Sequence, residues 1–261
     1  MFKIDYIPTL TTLRELYNKP RNMARFNWYI EQMTGMNEVG KLDVVMPITA
    51  VNPMGREHCL AAVERLIAFD ADGVAARAAE EAARRLNLNN LNYLDLHARV
   101  FINLLDDLRG GWTQRHFKEA GYRYSSELGI RANRERHFVL VAIWASEVER
   151  FSPDHVRQQT LDAVYRYKHM QQHGRPITLR QMMALDGLSA QFAGITEPML
   201  DTDDLAYTRE VIAPHLDATD APTQLVCLFG DECAEATGYP KMGLSPRAGV
   251  VLAIHEWKVQ S

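Results

Sequence analysis

Apolar side chains recur three and four positions apart along most of this chain, the spacing that lines one face of an α-helix. Residues 20–34 carry Met23, Phe26, Trp28, Ile30 and Met33 and stop at Gly35, while residues 153–173 open on Ser152-Pro153 and close on Gly174. Helix starts have a chemical signature: an oxygen-bearing side chain caps the free amides of the first turn, and proline fits where its missing N–H costs nothing. Thr12 with Glu15, Thr178, Asp201 or Thr202, Pro222 and Ser245-Pro246 each carry it. The alanine-rich stretch 53–86 predicts helix, broken at Asp70-Ala71-Asp72-Gly73.

Residues 91–108 read as helix because Leu94, Ala98, Phe101, Leu105 and Leu108 keep helical spacing. Residues 138–145 (FVLVAIWA) are apolar on all sides and would suit a buried strand, yet Ser146 to Arg150 extend them to helical length, which predicts a central helix. Only residues 42–48 (LDVVMPI) read as a strand, and Pro47 confines it to an edge. The expected fold class is therefore all-α: about ten helices in one orthogonal or bundle-like domain spanning residues 1–261, with at most one short strand near 42–48. In the last helix, Val250, Val251, Ala253, Ile254 and Trp257 are expected to dock on the core.

Composition changes this picture little. With 47% hydrophobic and 24% charged residues the chain has ample apolar surface to bury. Its net charge of −4 makes nucleic acid an unfavoured partner. Cys59, Cys227 and Cys233 are too irregularly spaced for a disulfide framework or a paired-cysteine zinc site and read as small core residues. The first residues lack a basic stretch followed by an apolar segment, and no apolar run reaches spanning length, so a soluble cytoplasmic protein without membrane association is expected.

Charge distribution says more. Segment 109–136 holds seven basic and three acidic side chains, +4 in a chain of −4, interleaved with Trp112, Thr113, His116, Tyr122, Tyr124, Ser125 and Ser126. Gly110-Gly111 allows close backbone approach, and Thr113 would start a helix whose free amides favour an anion. These residues predict a polar pocket for a small anionic molecule: Arg109, Thr113, Arg115 and Arg123 as anion partners, Trp112 and Tyr124 as walls, and His116 as acid–base group in an enzyme or binder. Glu147 and His137 complete the catalytic candidates, the first because a carboxylate in an apolar segment needs a partner, the second because it precedes the same segment. Glu57-His58, at the start of a helical region, is a further candidate.

Metal signals are weak. His169 and His173 share a helix face but lack the glutamate of HExxH, and His97 sits on an apolar side, so no metal ligand set is expected, and the residues leave any cofactor unknown. The rival reading is a non-enzymatic scaffold, dimerising through the basic segment and the acidic residues 201–235, where nine carboxylates face Arg209 alone. A helical metal or haem protein is the third. No nucleophile elbow, dinucleotide fingerprint or phosphate loop is present.

Overall fold

A computed structural model describes residues 1–35, 46–48, 50–88, 96–108, 114–125, 137–196 and 200–260, the last four by their backbone. Contacts divide the chain into two compact units, Met1–Arg115 with Ser126–Val164 and His116–Ser125 with Tyr165–Ser261.

The first unit begins with strand β1 (Phe2–Tyr6) and helices α1 (Leu10–Asn18), α2 (Met23–Thr34), α3 (Glu57–Ala68) and α4 (Ala71–Leu88). Strands β2 (Leu96–Leu105) and β3 (Phe138–Trp144) follow, and a 3-10 turn (Ala145–Arg150) leaves β3. The strands form one parallel sheet in the order β1-β2-β3. Tyr6 pairs with Val100, and Leu105 with Trp144. Helix α4 packs on β1 and β2, and α3 packs on α1, α4, β2 and the 3-10 turn.

The chain is mainly helical, as expected, but its three-stranded parallel sheet exceeds the one short strand expected near 42–48. Residues 96–105 and 138–144 are strands where helices were predicted. Both are nearly continuously buried, and a strand covered on both faces loses its two-residue alternation and cannot be told from buried helix by periodicity. Their β-branched content, Val100 and Ile102 in β2 and Val139, Val141 and Ile143 in β3, favours the pleated conformation. Strand β1, also unforeseen, does alternate: Phe2 is buried while Lys3 and Asp5 are exposed. Of the expected strand 42–48, residues 46–48 are described and are not strand; the others lie outside the described residues. Pro47 and Ile48 are still anchored, because Asn103 Nδ2 donates to Pro47 O at 2.9 Å and Tyr29 Oη to Ile48 O at 3.1 Å.

Polar staples fix the helices around this sheet. Asp72, in the first turn of α4, accepts from Tyr6 Oη at 2.6 Å and from the Thr9 and Leu10 amides, so one carboxylate ties β1 and the start of α1 to α4. Arg25 on α2 is buried and donates to the carbonyls of Tyr17, Lys19 and Gly55, holding the segment that leads into α3. Burial lowers its guanidinium pKa.

The second unit holds α5 (Arg115–Tyr124), apart from Arg115, and α6 (Pro153–His173) from Tyr165 onward. It continues with α7 (Leu179–Ala193), α8 (Thr202–Ile212), α9 (Ala221–Phe229), α10 (Asp231–Thr237) and α11 (Ala248–Gln260). Several boundaries fall where the capping chemistry put them. Thr178 opens α7 with a complete capping box through Gln181, and the Asp201 side chain caps α8. Helix α11 packs on α7, α8 and α9, with Val250, Val251, Ala253 and Ile254 buried. Gly249 sets the approach to α9, since a Cβ there would stand 2.3 Å from Cys227 O. No helix among the described residues is long and apolar enough to cross a membrane.

Candidate functional site

Among the described residues, two places, one in each unit, gather candidate functional side chains. The first is the carboxyl edge of the sheet, where open parallel sheets hold their ligands. Because Leu105 pairs with Trp144, Asp106-Asp107 leaves the sheet beside Ala145-Ser146. Successive residues of an extended chain face opposite ways. Asp106 accordingly reaches α3 and Asp107 the turn after β3.

Asp106 Oδ1 lies 2.9 Å from His58 Nε2 and accepts from the Leu108 amide at 3.2 Å, while its Oδ2 accepts from Asn52 Nδ2 at 2.8 Å. Cys59 Sγ stands 3.3 Å from the same Nε2. The three donor atoms all lie within 4.8 Å of one another. Gly55 is required beside them: a Cβ there would meet Cys59 Sγ at 2.6 Å and Tyr17 Cε1 at 2.8 Å. Burial, reinforced by Asp106, pushes the Cys59 thiol up to about 12, so at neutral pH the sulfur is protonated and is not a ready nucleophile.

Asp107 organises the other side. It accepts from the Ser146 amide at 2.9 Å and from Ser146 Oγ at 2.6 Å, and it pairs with Arg115 Nη1 at 3.1 Å. Arg115 also donates to Ser146 Oγ at 2.7 Å and to Glu147 Oε1 at 2.5 Å, and its guanidinium lies 4.8 Å from the Trp144 ring centroid. Glu147 has Arg150 at 3.7 Å and His155 at 3.8 Å as well.

The second place is a cavity of about 680 Å³, its open mouth included. Phe117 and Tyr124 of α5, Met182 of α7 and Leu225 and Leu228 of α9 wall it, with Ile177 at the rim. Phe117 and Ile177 are among the exposed large apolar side chains, 44% and 65% accessible. Its polar members are engaged with the protein: Tyr124 Oη donates to Asp186 at 2.7 Å, Ser125 Oγ to Gly121 O at 2.6 Å, Gln224 Nε2 to the Ile177 and Ala218 carbonyls, and Arg175 has a partner as well. Arg175 is the one charged residue among the described lining residues.

Fully buried Asp186 holds the wall in place. Arg123 Nη2 reaches it at 2.9 Å, Arg166 Nη1 at 2.8 Å as an ion pair, and Tyr124 through its hydroxyl. Glu119 on α5 takes Arg247 at 2.8 Å and Arg123 at 3.6 Å.

These geometries redistribute the residues singled out from sequence. Arg109, Trp112 and Thr113 lie outside the described residues. Arg115 and Glu147 meet at the sheet edge, where Asp107 and Glu147 offset the arginine's charge. Arg123 faces Asp186, Tyr124 lines the cavity, and His116 packs on Phe229 with ring centroids 5.7 Å apart. His137 and Glu147 do not meet, because they stand at opposite ends of β3, whose seven residues span about 23 Å. The acidic stretch 201–235 has internal uses: Asp201 and Asp220 cap helices, and Asp231 accepts from the amides of Met242, Gly243 and Leu244. Among the metal signals, His97 pairs with Asp5 at 2.7 Å, and the His169 and His173 rings stand 4.6 Å apart. Sequence reasoning reached His58 but passed over Asn52, Cys59 and Asp106; two acidic residues ending an apolar run at Leu105 were the available sign of a strand's carboxyl end.

Compared with protein family models, curated proteins and solved structures, the chain matches none.

Proposed function

We propose that this protein binds a small apolar acid, an aromatic or medium-chain aliphatic carboxylate, in the cavity of the second unit. One observation carries the reading: an apolar-walled cavity open to solvent has a single arginine and no carboxylate among its described lining residues. The apolar body would lie against Phe117, Met182, Leu225 and Leu228, where each buried methylene contributes about 0.8 kcal/mol. Arg175 would take the carboxylate, in the bidentate geometry a guanidinium offers. The anionic ligand anticipated from the basic segment is kept, along with Tyr124 as a wall, but Arg175 replaces Arg115 and Arg123 as its partner. Binding without chemistry is the simpler form of the reading, since His116 packs against Phe229 and is not among the described lining residues. Three buried, unpaired thiols agree with a reducing, cytosolic setting.

Calorimetric titration with octanoate, octanol and octylamine tests the proposal. Octanoate is expected to bind best, Arg175→Gln to weaken it about tenfold while sparing octanol, and Ala221→Trp, at a residue that also lines the cavity, to abolish both by filling it. Octylamine binding as tightly as octanoate would remove Arg175 from the site. Octanoate binding unchanged in Ala221→Trp would place the ligand elsewhere.

A further inference from the structure

We propose that His58, Cys59 and Asp106 form a centre for a divalent transition ion, zinc by preference, with a fourth position open to water or to an anionic oxygen. This inference lies in the first unit and does not depend on the cavity of the second.

The donor set is the first reason. An imidazole nitrogen, a thiol sulfur and a carboxylate oxygen converge within 4.8 Å. Such a borderline-soft set suits zinc, cobalt or copper and ill suits magnesium or calcium, which take oxygen. Geometry is the second. Donors bonded to zinc at about 2.0–2.3 Å in a tetrahedron stand roughly 3.3–3.7 Å apart. Here Nε2 lies 2.9 Å from Oδ1 and 3.3 Å from Sγ, close to those separations, and the sulfur and the carboxylate oxygen lie within 4.8 Å of each other.

The local bonding is the third reason. His58 Nε2 faces both Asp106 and Cys59, and the Cys59 thiol in turn interacts with Asp106, so the three donor atoms turn toward one point. A cation at their common focus satisfies all three at once. On binding, Cys59 gives its proton to solvent as the metal–sulfur bond forms, and thiolate plus carboxylate then neutralise the dication. Asn52 Nδ2 and the Leu108 amide hold Asp106 from outside, the supporting contacts that orient a metal-binding carboxylate. His58 is the exposed member, 28% accessible against 3% for Asp106, so the ion enters and the open position faces from its side. The place itself, outside the carboxyl end of β2, is where parallel sheets put their chemistry.

Cobalt(II) titration of the full chain, followed by absorption, tests this. One equivalent is expected to give the visible bands of a tetrahedral site with a near-ultraviolet thiolate-to-cobalt band, and zinc should displace it. Cys59→Ser should lose the thiolate band and His58→Ala should weaken cobalt binding at least a hundredfold. Asn52→Ala, which reaches the ion only through Asp106 and also frees the Met54 amide, should weaken it about tenfold with the bands retained. Circular dichroism of each variant separates loss of ligand from loss of fold, and Cys59→Ser, nearly isosteric, keeps the test valid if the others unfold. An octahedral spectrum without the thiolate band overturns the proposal, as does wild-type cobalt binding in folded Cys59→Ser and His58→Ala. Loss of the bands in His169→Ala/His173→Ala with His58 intact would overturn it as well, by moving the ion to α6.

Discussion

Replacing Asp186 by asparagine removes one negative charge from the inside of the second unit while keeping the shape of the side chain, so no cavity is created. The carboxylate is fully buried, with Arg166 at 2.8 Å, Arg123 at 2.9 Å and the Tyr124 hydroxyl at 2.7 Å. Arg166 is 2% exposed and Arg123 has a side chain 15% exposed, so neither guanidinium can turn to bulk water for compensation. Breaking a buried ion pair from one side costs about 3–5 kcal/mol, because the partner charge stays buried. Arg123 retains Glu119 at 3.6 Å, which places the expected loss near the lower end, about 3 kcal/mol. For a unit of this size that corresponds to a fall in Tm of roughly 10–20 °C. Thermal and urea unfolding followed by circular dichroism measure it. Asp186→Leu combined with Arg166→Met replaces the more deeply buried ion pair by apolar groups and is expected to recover at least half of the loss, since apolar substitutes for buried ion pairs are often neutral. A loss below about 1 kcal/mol in Asp186→Asn, or a double variant less stable than the single one, would refute the view that the buried charges hold α5 in place.

Two further outcomes follow from the first unit and from the tyrosines. Gly55→Ala should destabilise by about 1–3 kcal/mol, since its Cβ would stand 2.6 Å from Cys59 Sγ and 2.8 Å from Tyr17; urea midpoints check it, and an unchanged midpoint contradicts the tight approach. Burial pushes Tyr29, Tyr122 and Tyr167 up to about 12 and raises Tyr6, Tyr17 and Tyr124 as well. Their neutral forms stabilise the fold fully below the unfolded value of about 10, and this contribution is lost as pH rises toward 12. Phenolate absorbance should therefore report delayed ionisation and alkaline unfolding in that window; superimposable titrations with and without urea would show the tyrosines to be solvated.

Much of the second unit was legible because its helices announce their ends chemically. Thr178 does carry the capping box and Asp201 caps its helix, while Gly35 in the first unit closes α2. Asp70 ends the run before α4 with a positive φ of 57°, the turn its place among small and acidic residues implied. Strands β2 and β3 were not legible, since what distinguishes a strand buried on both faces from buried helix is its partner strands, and those are remote in sequence. The same remoteness hid the carboxyl-edge site. His58 and Asp106 are separated by 48 positions, and only the parallel pairing of β2 beside β3, with α3 packed on β2, makes them neighbours. Local charge is legible in sequence while its pairing is not. Arg115 and Arg123 made the basic segment conspicuous, yet each has a carboxylate from a distant part of its own unit as partner. A linear count of charges carries no information about such pairing.

Adjacent Asp106 and Asp107 divide their work only because the strand delivers them in a fixed phase. Adding or deleting one residue within β2 would swap which carboxylate meets His58 and which meets Ser146 and Arg115, dismantling both neighbourhoods at a stroke. An insertion of two residues would restore the facing but displace both acids by about 7 Å along the strand. Length variation in this protein is thus far better tolerated beyond the strand than inside it, and the spacing between Leu96 and Asp107 acts as a ruler for whatever chemistry the edge performs.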